Sequence, residues 1–395
     1  MRSHLHFSAK RVLAAACVAA MTGFLGCSAA DPGPAGSGSS STGSGTPATG
    51  GSSGGNGASS GTPGSGTGGG TTSPGTGGTT PGGTGTPAGG ASGTVSADET
   101  WASGKQITGA LVIAPGVTVT IDPGAAITVA DGATITVGGA LKGKSTAAAH
   151  AKLSGAAWTG IVVEQGGTLG LDGVDLVNAV TALDVKGGNT AATFSNGVIT
   201  APTAPFSIAI GGKLAIDHSS VTGTKGMSSV GGAFTASYLD YDSNGNEGIA
   251  AIDASAVLTI DDSKFHGTSN NGGDMIVANN AASVHISHSE ISKCHCAFHF
   301  NAITSFDVSF MNVHDDSYGF MMYGSSTAGK RTVADSNFTT LAGAGIDEAG
   351  TNGAIAVTNC YFNAVAGGNN VKLVDAQITV TSPAKAAVPG AGPRP

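Results

Sequence analysis

From about residue 100 onward the chain alternates apolar and polar positions in short bursts, and the bursts recur. One eight-residue pattern opens with apolar–x–apolar, passes through two polar residues and closes with small–x–apolar. Clear copies are Leu214–Val221, Leu258–Phe265, Val284–Ile291, Phe306–Val313, Arg331–Phe338 and Ile355–Phe362, and weaker copies start at Leu169, Ala192, Phe234 and Val371. Successive starts lie 23, 22, 20, 24, 26, 22, 25, 24 and 16 residues apart, with the one short interval at the end of the series. A second alternation precedes each octet, as in Leu183–Val185, Ile208–Ile210, Phe298–Phe300 and Phe320–Met322. Alternation of period two places one set of side chains inward and the other outward. Each repeat therefore has room for three short strands.

The turn inside the octet carries its own signal. Its fifth position holds Gly173, Asn196, His218, Tyr238, Asp262, His288, Phe310, Asp335, Asn359 and Asp375. Eight of these ten are Gly, Asn, Asp or His, which best tolerate a left-handed backbone. Tyr238 and Phe310 are the exceptions. The pattern predicts a tight corner at this position and inward columns along the repeat axis. One column is expected to hold Ile260, Ile286, Val308, Val333 and Val357, and another Phe265, Ile291, Val313, Phe338 and Phe362. The simpler Gly-bounded segments 116–124 and 132–139 read as the first coils, behind a capping segment around Trp101. Three strands per repeat of this length resemble the right-handed parallel β-helix of the pectate-lyase-like superfamily, over roughly residues 100–380. The resemblance implies an all-β solenoid of about ten or more coils of 20–26 residues each. Residues 100–161 also resemble the entry module of secreted bacterial β-helix proteins.

The first quarter of the chain is of another kind. Met1 to Arg11 is basic, and Val12 to Leu25 is an apolar run of signal-peptide length. It ends Phe24-Leu25-Gly26-Cys27, which resembles the bacterial lipobox, with Phe24 standing where Leu is usual. The resemblance implies cleavage before Cys27, acylation of Cys27 and, with Ser28 following, sorting to the outer membrane. Several acyl chains on one residue anchor firmly. Residues 27–94 are almost wholly Gly, Ser, Thr, Pro and Ala and cannot offset their ordering entropy by burial, so they read as a disordered linker. The expected organisation is a signal peptide at 1–26, the linker at 27–94, the β-helix domain at 95–381 and a loose Ala/Pro/Gly-rich tail at 382–395.

Charge narrows the partners. Removing residues 1–26 takes away Arg2, Lys10 and Arg11 and no acid, so 17 basic residues become 14 against 25 acidic ones, a net of −11. Only two Arg remain, which argues against nucleic acid, whose phosphates are bound largely by Arg and Lys. The expected partners are the membrane through the lipid anchor, and extracellular polysaccharide or other envelope proteins.

Candidate chemistry is sparse. His299 lies between Phe298 and Phe300 and so points outward, and the period places Tyr323 and Asp347 on neighbouring coils. A His, a Tyr and a carboxylate on one groove suit acid–base chemistry on a polysaccharide. Pectate-lyase-like enzymes place their sites on such a face. A lyase also needs a cation opposite the substrate carboxylate, and Lys330 and Arg331 are the nearest in sequence. Asp240, Asp242 and Asn244 match the start of an Asp-x-Asp-x-Asn-Gly calcium loop, although Ala251 stands where the loop needs Glu, and an Asn-Gly turn explains the same letters. Cys294, Cys296 and His299 offer three soft-metal ligands where a closed zinc site needs four. Cys360 reads as an inward packing residue. Aromatic residues make up 5% of the chain, few for sugar-stacking platforms. The leading expectation is a non-enzymatic surface lipoprotein with a structural, adhesive or envelope-assembly role and no cofactor, calcium being the one candidate. The alternative is a polysaccharide lyase or glycoside hydrolase using His299, Tyr323 and Asp347.

Overall fold

A computed structural model describes residues 90–279, 282–325, 329–351, 354–363, 371–372 and 378–395. The signal peptide, Cys27 and nearly all of the linker lie outside the described residues, as does Asp375. The described residues form strands and turns and no helix. The strands pair in parallel, coil upon coil, into a parallel β-helix.

Each coil has three sides. Thirteen strands, from Glu99–Trp101 to Ile378–Thr381, stack as the first side. A second sheet of 24 strands wraps the other two. The second side runs through Ser220–Thr222, Lys264–His266, Glu290–Ser292 and Asn312–His314. The third runs through Ala204–Ile208, Ile276–Asn279, Cys296–Asn301, Tyr318–Ser325 and Ile346–Thr351.

Both expected columns are present. Ile260, Ile286, Val308, Val333 and Val357 stand in register on the first side, all buried. Phe265, Ile291, Val313, Phe338 and Phe362 do so on the second. Stacking extends to the rings, with Phe298 on Phe320 at 4.4 Å and Phe338 on Phe362 at 5.0 Å between centroids. Parallel in-register pairing repeats each side chain directly above its counterpart, so like residues pack on like.

The corner after each first-side strand is left-handed at all nine described positions expected there, with φ between 43° and 67°. Tyr238 and Phe310 adopt it too. Their rings stack on the corner histidines of the preceding coil, Tyr238 on His218 at 4.4 Å and Phe310 on His288 at 4.6 Å between centroids. That contact offsets part of the cost of a positive φ at a bulky residue.

Three expectations are corrected. The final copy of the octet begins at Ile378, not Val371. Ile378–Thr381 pairs with Ile355–Thr358 on the first side, Ser382 takes the corner at φ 50°, and Val371–Lys372 belongs to the third side. Residues Thr118–Ile121, Ala126–Val129 and Thr134–Val137 are the three successive sides of one coil rather than separate coils. The segment from Ser382 is not a loose tail. Asn337 and Val388 exchange two hydrogen bonds (2.7 and 3.3 Å), Gly392 donates to the Phe310 carbonyl, and Arg394 reaches Asp262. An irregular, Pro-containing strap carries no hydrophobic period to reveal it, and it docks on the Asn337 and Asp262 side chains and on the Phe310 carbonyl.

Candidate functional site

On the third side the outward row reads Asp184, Ser207, Ser229, Ala250 and Val277, then His299, Met321 and Asp347. From Ser207 to Val277 the row is small or apolar, and His299 and Asp347 then stand on either side of Met321. His299 faces outward because Phe298 and Phe300 take the inward positions of the same strand. Tyr323 pairs through its backbone with Asn301, and its ring tilts against His299 at 5.4 Å between centroids. Asp347 lies in register two coils beyond His299 and is largely buried. The three residues of the expected groove are therefore brought to one face.

The residue that organises them comes from a loop. Residues 267–275 lead into strand Ile276–Asn279, and their backbone is pinned from both sides. His295 N–H donates to the Gly273 carbonyl at 3.0 Å, and Gly248 N–H to the Asp274 carbonyl at 2.9 Å. A Cβ on Gly273 would meet the Asn246 backbone at 2.3 Å, so only glycine permits this approach. Asp274 is thereby aimed at two imidazoles. Its Oδ1 lies 2.9 Å from His295 Nδ1 and its Oδ2 lies 2.5 Å from His299 Nδ1. Burial acts to raise the pKa of Asp274, but the hydrogen bonds and charges of His295 and His299 overcome it and hold the carboxyl well below the usual carboxylate range. Asp274 is an ionised carboxylate that fixes both rings. Burial, then the Asp347 charge, push the Tyr323 phenol up to about 12, so it is a neutral hydroxyl at neutral pH.

The cysteines divide. Cys294 turns into the core, where its N–H and Sγ both contact Asp316 Oδ1 at 2.8 and 3.2 Å. Cys296 turns the other way, with Sγ 3.2 Å from His295 Nδ1 and 3.8 Å from Met321 Sδ. The expected trio of Cys294, Cys296 and His299 is therefore split, because Cys294 lies in the bend at 293–295 and turns inward, whereas Cys296 opens the strand Cys296–Asn301. Both are free thiols. Cys360 is buried with Sγ toward the Val333 carbonyl, as a packing residue.

The calcium candidates serve a turn. Asp242 Oδ1 accepts the Asn244 N–H at 2.7 Å, and the Asn244 and Asn246 amides both donate to the Thr224 carbonyl. Asn244 and Gly245 take positive φ. Asp240 and Asp242 flank His266 on the second side, at 3.4 and 3.9 Å.

The two arginines are committed elsewhere. Arg331 is buried, with its guanidinium donating to the Ile303 carbonyl, and Arg394 holds Asp261 and Asp262. Lys330 is exposed beside Asp307 on the first side.

Sequence reasoning missed Asp274 and His295. Asp274 sits in an irregular Gly-rich segment outside the alternation. The available signal was distance, since it precedes His295 by 21 residues and His299 by 25, about one coil.

No protein-family model matches the chain, and neither does any curated protein. Among solved structures, the catalytic domain of GH87 alpha-1,3-glucanase in complex with nigerose is similar at 14% identity with a TM-score of 0.29. Two single-substitution variants of it score alike at 14% and 13% identity. Each match covers 72% of this chain, which spans 62% of theirs. Likeness at that level carries no argument about activity.

Proposed function

We propose that the protein is a surface-anchored β-helix protein that cleaves an extracellular polysaccharide by acid–base chemistry at His299. The observation that carries this reading is the Asp274–His299 contact beneath the Tyr323 ring on an outward face. A carboxylate at Nδ1 fixes the ring and leaves Nε2 to take or give a proton, which is how a base is oriented by a third group. Tyr323 supplies a neutral hydroxyl and an aromatic face beside it. The lipid anchor at Cys27 and the linker at 27–94 would hold the site at the outer membrane, clear of the headgroups. The anchor rests on the Phe24-Leu25-Gly26-Cys27 motif alone.

The protein, incubated with a panel of neutral and acidic polysaccharides, is expected to generate new reducing ends from one of them. His299→Ala is expected to lower that rate by about 10²–10⁴-fold. A second reading, a non-enzymatic spacer or adhesin, is favoured by the bland outward row from Ser207 to Val277. It becomes the better account if no polymer is cut, whereas cleavage that survives His299→Ala would place the reacting groups elsewhere on the solenoid.

A further inference from the structure

We infer that Asp274, His295 and Cys296 form a three-ligand site for a transition-metal ion of borderline softness, with Zn²⁺ as its representative. The site shares Asp274 with the acid–base pair but does not rest on the polysaccharide reading.

Three different donor types converge there. A carboxylate oxygen, an imidazole nitrogen and a thiol sulfur all lie within 4.8 Å of one another. His295 Nδ1 stands between the other two, 2.9 Å from Asp274 Oδ1 and 3.2 Å from Cys296 Sγ. Metal–ligand bonds of about 2.0–2.3 Å at tetrahedral angles separate ligand atoms by roughly 3.3–3.7 Å. The two pairs that share His295 need to spread by only about half an ångström to admit an ion, and the third, Asp274 to Cys296, lies within 4.8 Å. In the metal-free protein His295 Nδ1 is held by the carboxylate and the thiol, and those are the contacts an ion would replace.

The surroundings fit a site more than a chance contact. His299 holds the other oxygen of Asp274, as an outer partner that orients a ligating carboxylate does. Backbone bonds on both flanks of His295, from its own N–H to Gly273 and from Tyr318 N–H to its carbonyl at 2.9 Å, fix its place. The His295 side chain is 28% exposed and Asp274 15%, over a buried Cys296, so the cluster sits at the edge of the fold and not in its core. Three protein ligands with one open position is the pattern of a reactive rather than a closed zinc site. Sulfur and imidazole nitrogen select against Ca²⁺ and Mg²⁺, which take oxygen. Binding would convert the Cys296 thiol to thiolate with release of its proton.

The other cluster of this kind among the described residues, Asp261, Asp262 and His288, is already held by the Arg394 guanidinium. Cys294 is excluded by its inward turn.

Titration of the reduced, full-length protein with Co²⁺, a spectroscopic stand-in for Zn²⁺, tests the site. One equivalent is expected to bring up tetrahedral d–d bands and a thiolate-to-cobalt charge-transfer band, and Zn²⁺ should abolish both. Cys296→Ser should lose the charge-transfer band while Cys294→Ser and Cys360→Ser keep it. Asp274→Asn, which preserves shape, should weaken binding at least tenfold. His299→Ala should weaken it by about 10–100-fold, the usual cost of losing an outer partner. Absence of the charge-transfer band in the wild type, or its survival in Cys296→Ser, overturns the proposal. Polysaccharide cleavage is a separate readout, so either idea can fail alone.

Discussion

Arg394 and Asp262 are 132 residues apart in sequence and in direct contact, with Arg394 Nε donating to Asp262 Oδ1 at 2.8 Å. Asp262 is itself a left-handed corner residue, so the end of the strap is fastened to the turn that defines the solenoid. The hydrogen bond from Arg394 outweighs the opposing effect of burial and lowers the pKa of Asp262. A depressed carboxylate adds stability above its unfolded value and loses it as pH falls through the folded one. Thermal melts at neutral pH are expected to show Arg394→Ala less stable than wild type, with the two converging in acid. Equal melting temperatures at neutral pH would mean the contact contributes nothing.

Ile286 stands between Ile260 and Val308 in the first-side column and is 1% exposed. Ile286→Asp would place a charge in that column with no partner at hand. The expected cost is more than about 4 kcal/mol, in the range reserved for buried unpaired charge. Chemical denaturation reads it. Val257→Asp, on the outward row of the adjacent coil, should be tolerated far better.

Asp316 is fully buried against Cys294, and burial pushes its carboxyl up to about 7 despite the opposing hydrogen bonds. A raised carboxyl favours the folded state below its unfolded value and loses that contribution as pH rises through the folded one. Urea midpoints of the wild type are therefore expected to fall between about pH 4 and pH 7. Asp316→Asn keeps an acceptor for the Cys294 N–H, and its midpoints should lack that slope.

Cys27→Ser is expected to abolish acylation and release the protein from membranes. Metabolic labelling with a fatty acid, followed by fractionation, checks it. A wild-type protein that takes up no label would remove the anchor from the proposed function.

The solenoid was legible because its determinants are local and repeated. The inward column from Ile260 to Val357 follows from period-two alternation, and the corner residues follow from the backbone conformation each must adopt. Even Tyr238 and Phe310, which the local rule disfavours, were correctly placed by the period. What made them tolerable, a stack on His218 and His288, depends on coils meeting in space. The last coil was misplaced because Val371–Lys372 and Ile378–Thr381 both alternate, and only strand pairing separates them.

The site shows the same division. His299, Tyr323 and Asp347 lie on regular strands, so alternation and spacing alone determined that they share an outward face. Asp274 lies in a loop with no period, and Cys294 lies in a bend whose geometry no pattern specifies, just before the strand that Cys296 opens. Only the tertiary structure decided that Asp274 faces two imidazoles, that Cys296 rather than Cys294 joins them, and that Arg394 returns to Asp262. A periodic fold writes its side-chain directions into the sequence. A loop or a strap takes its direction from the backbone groups it meets, and those come together only when the coils are stacked.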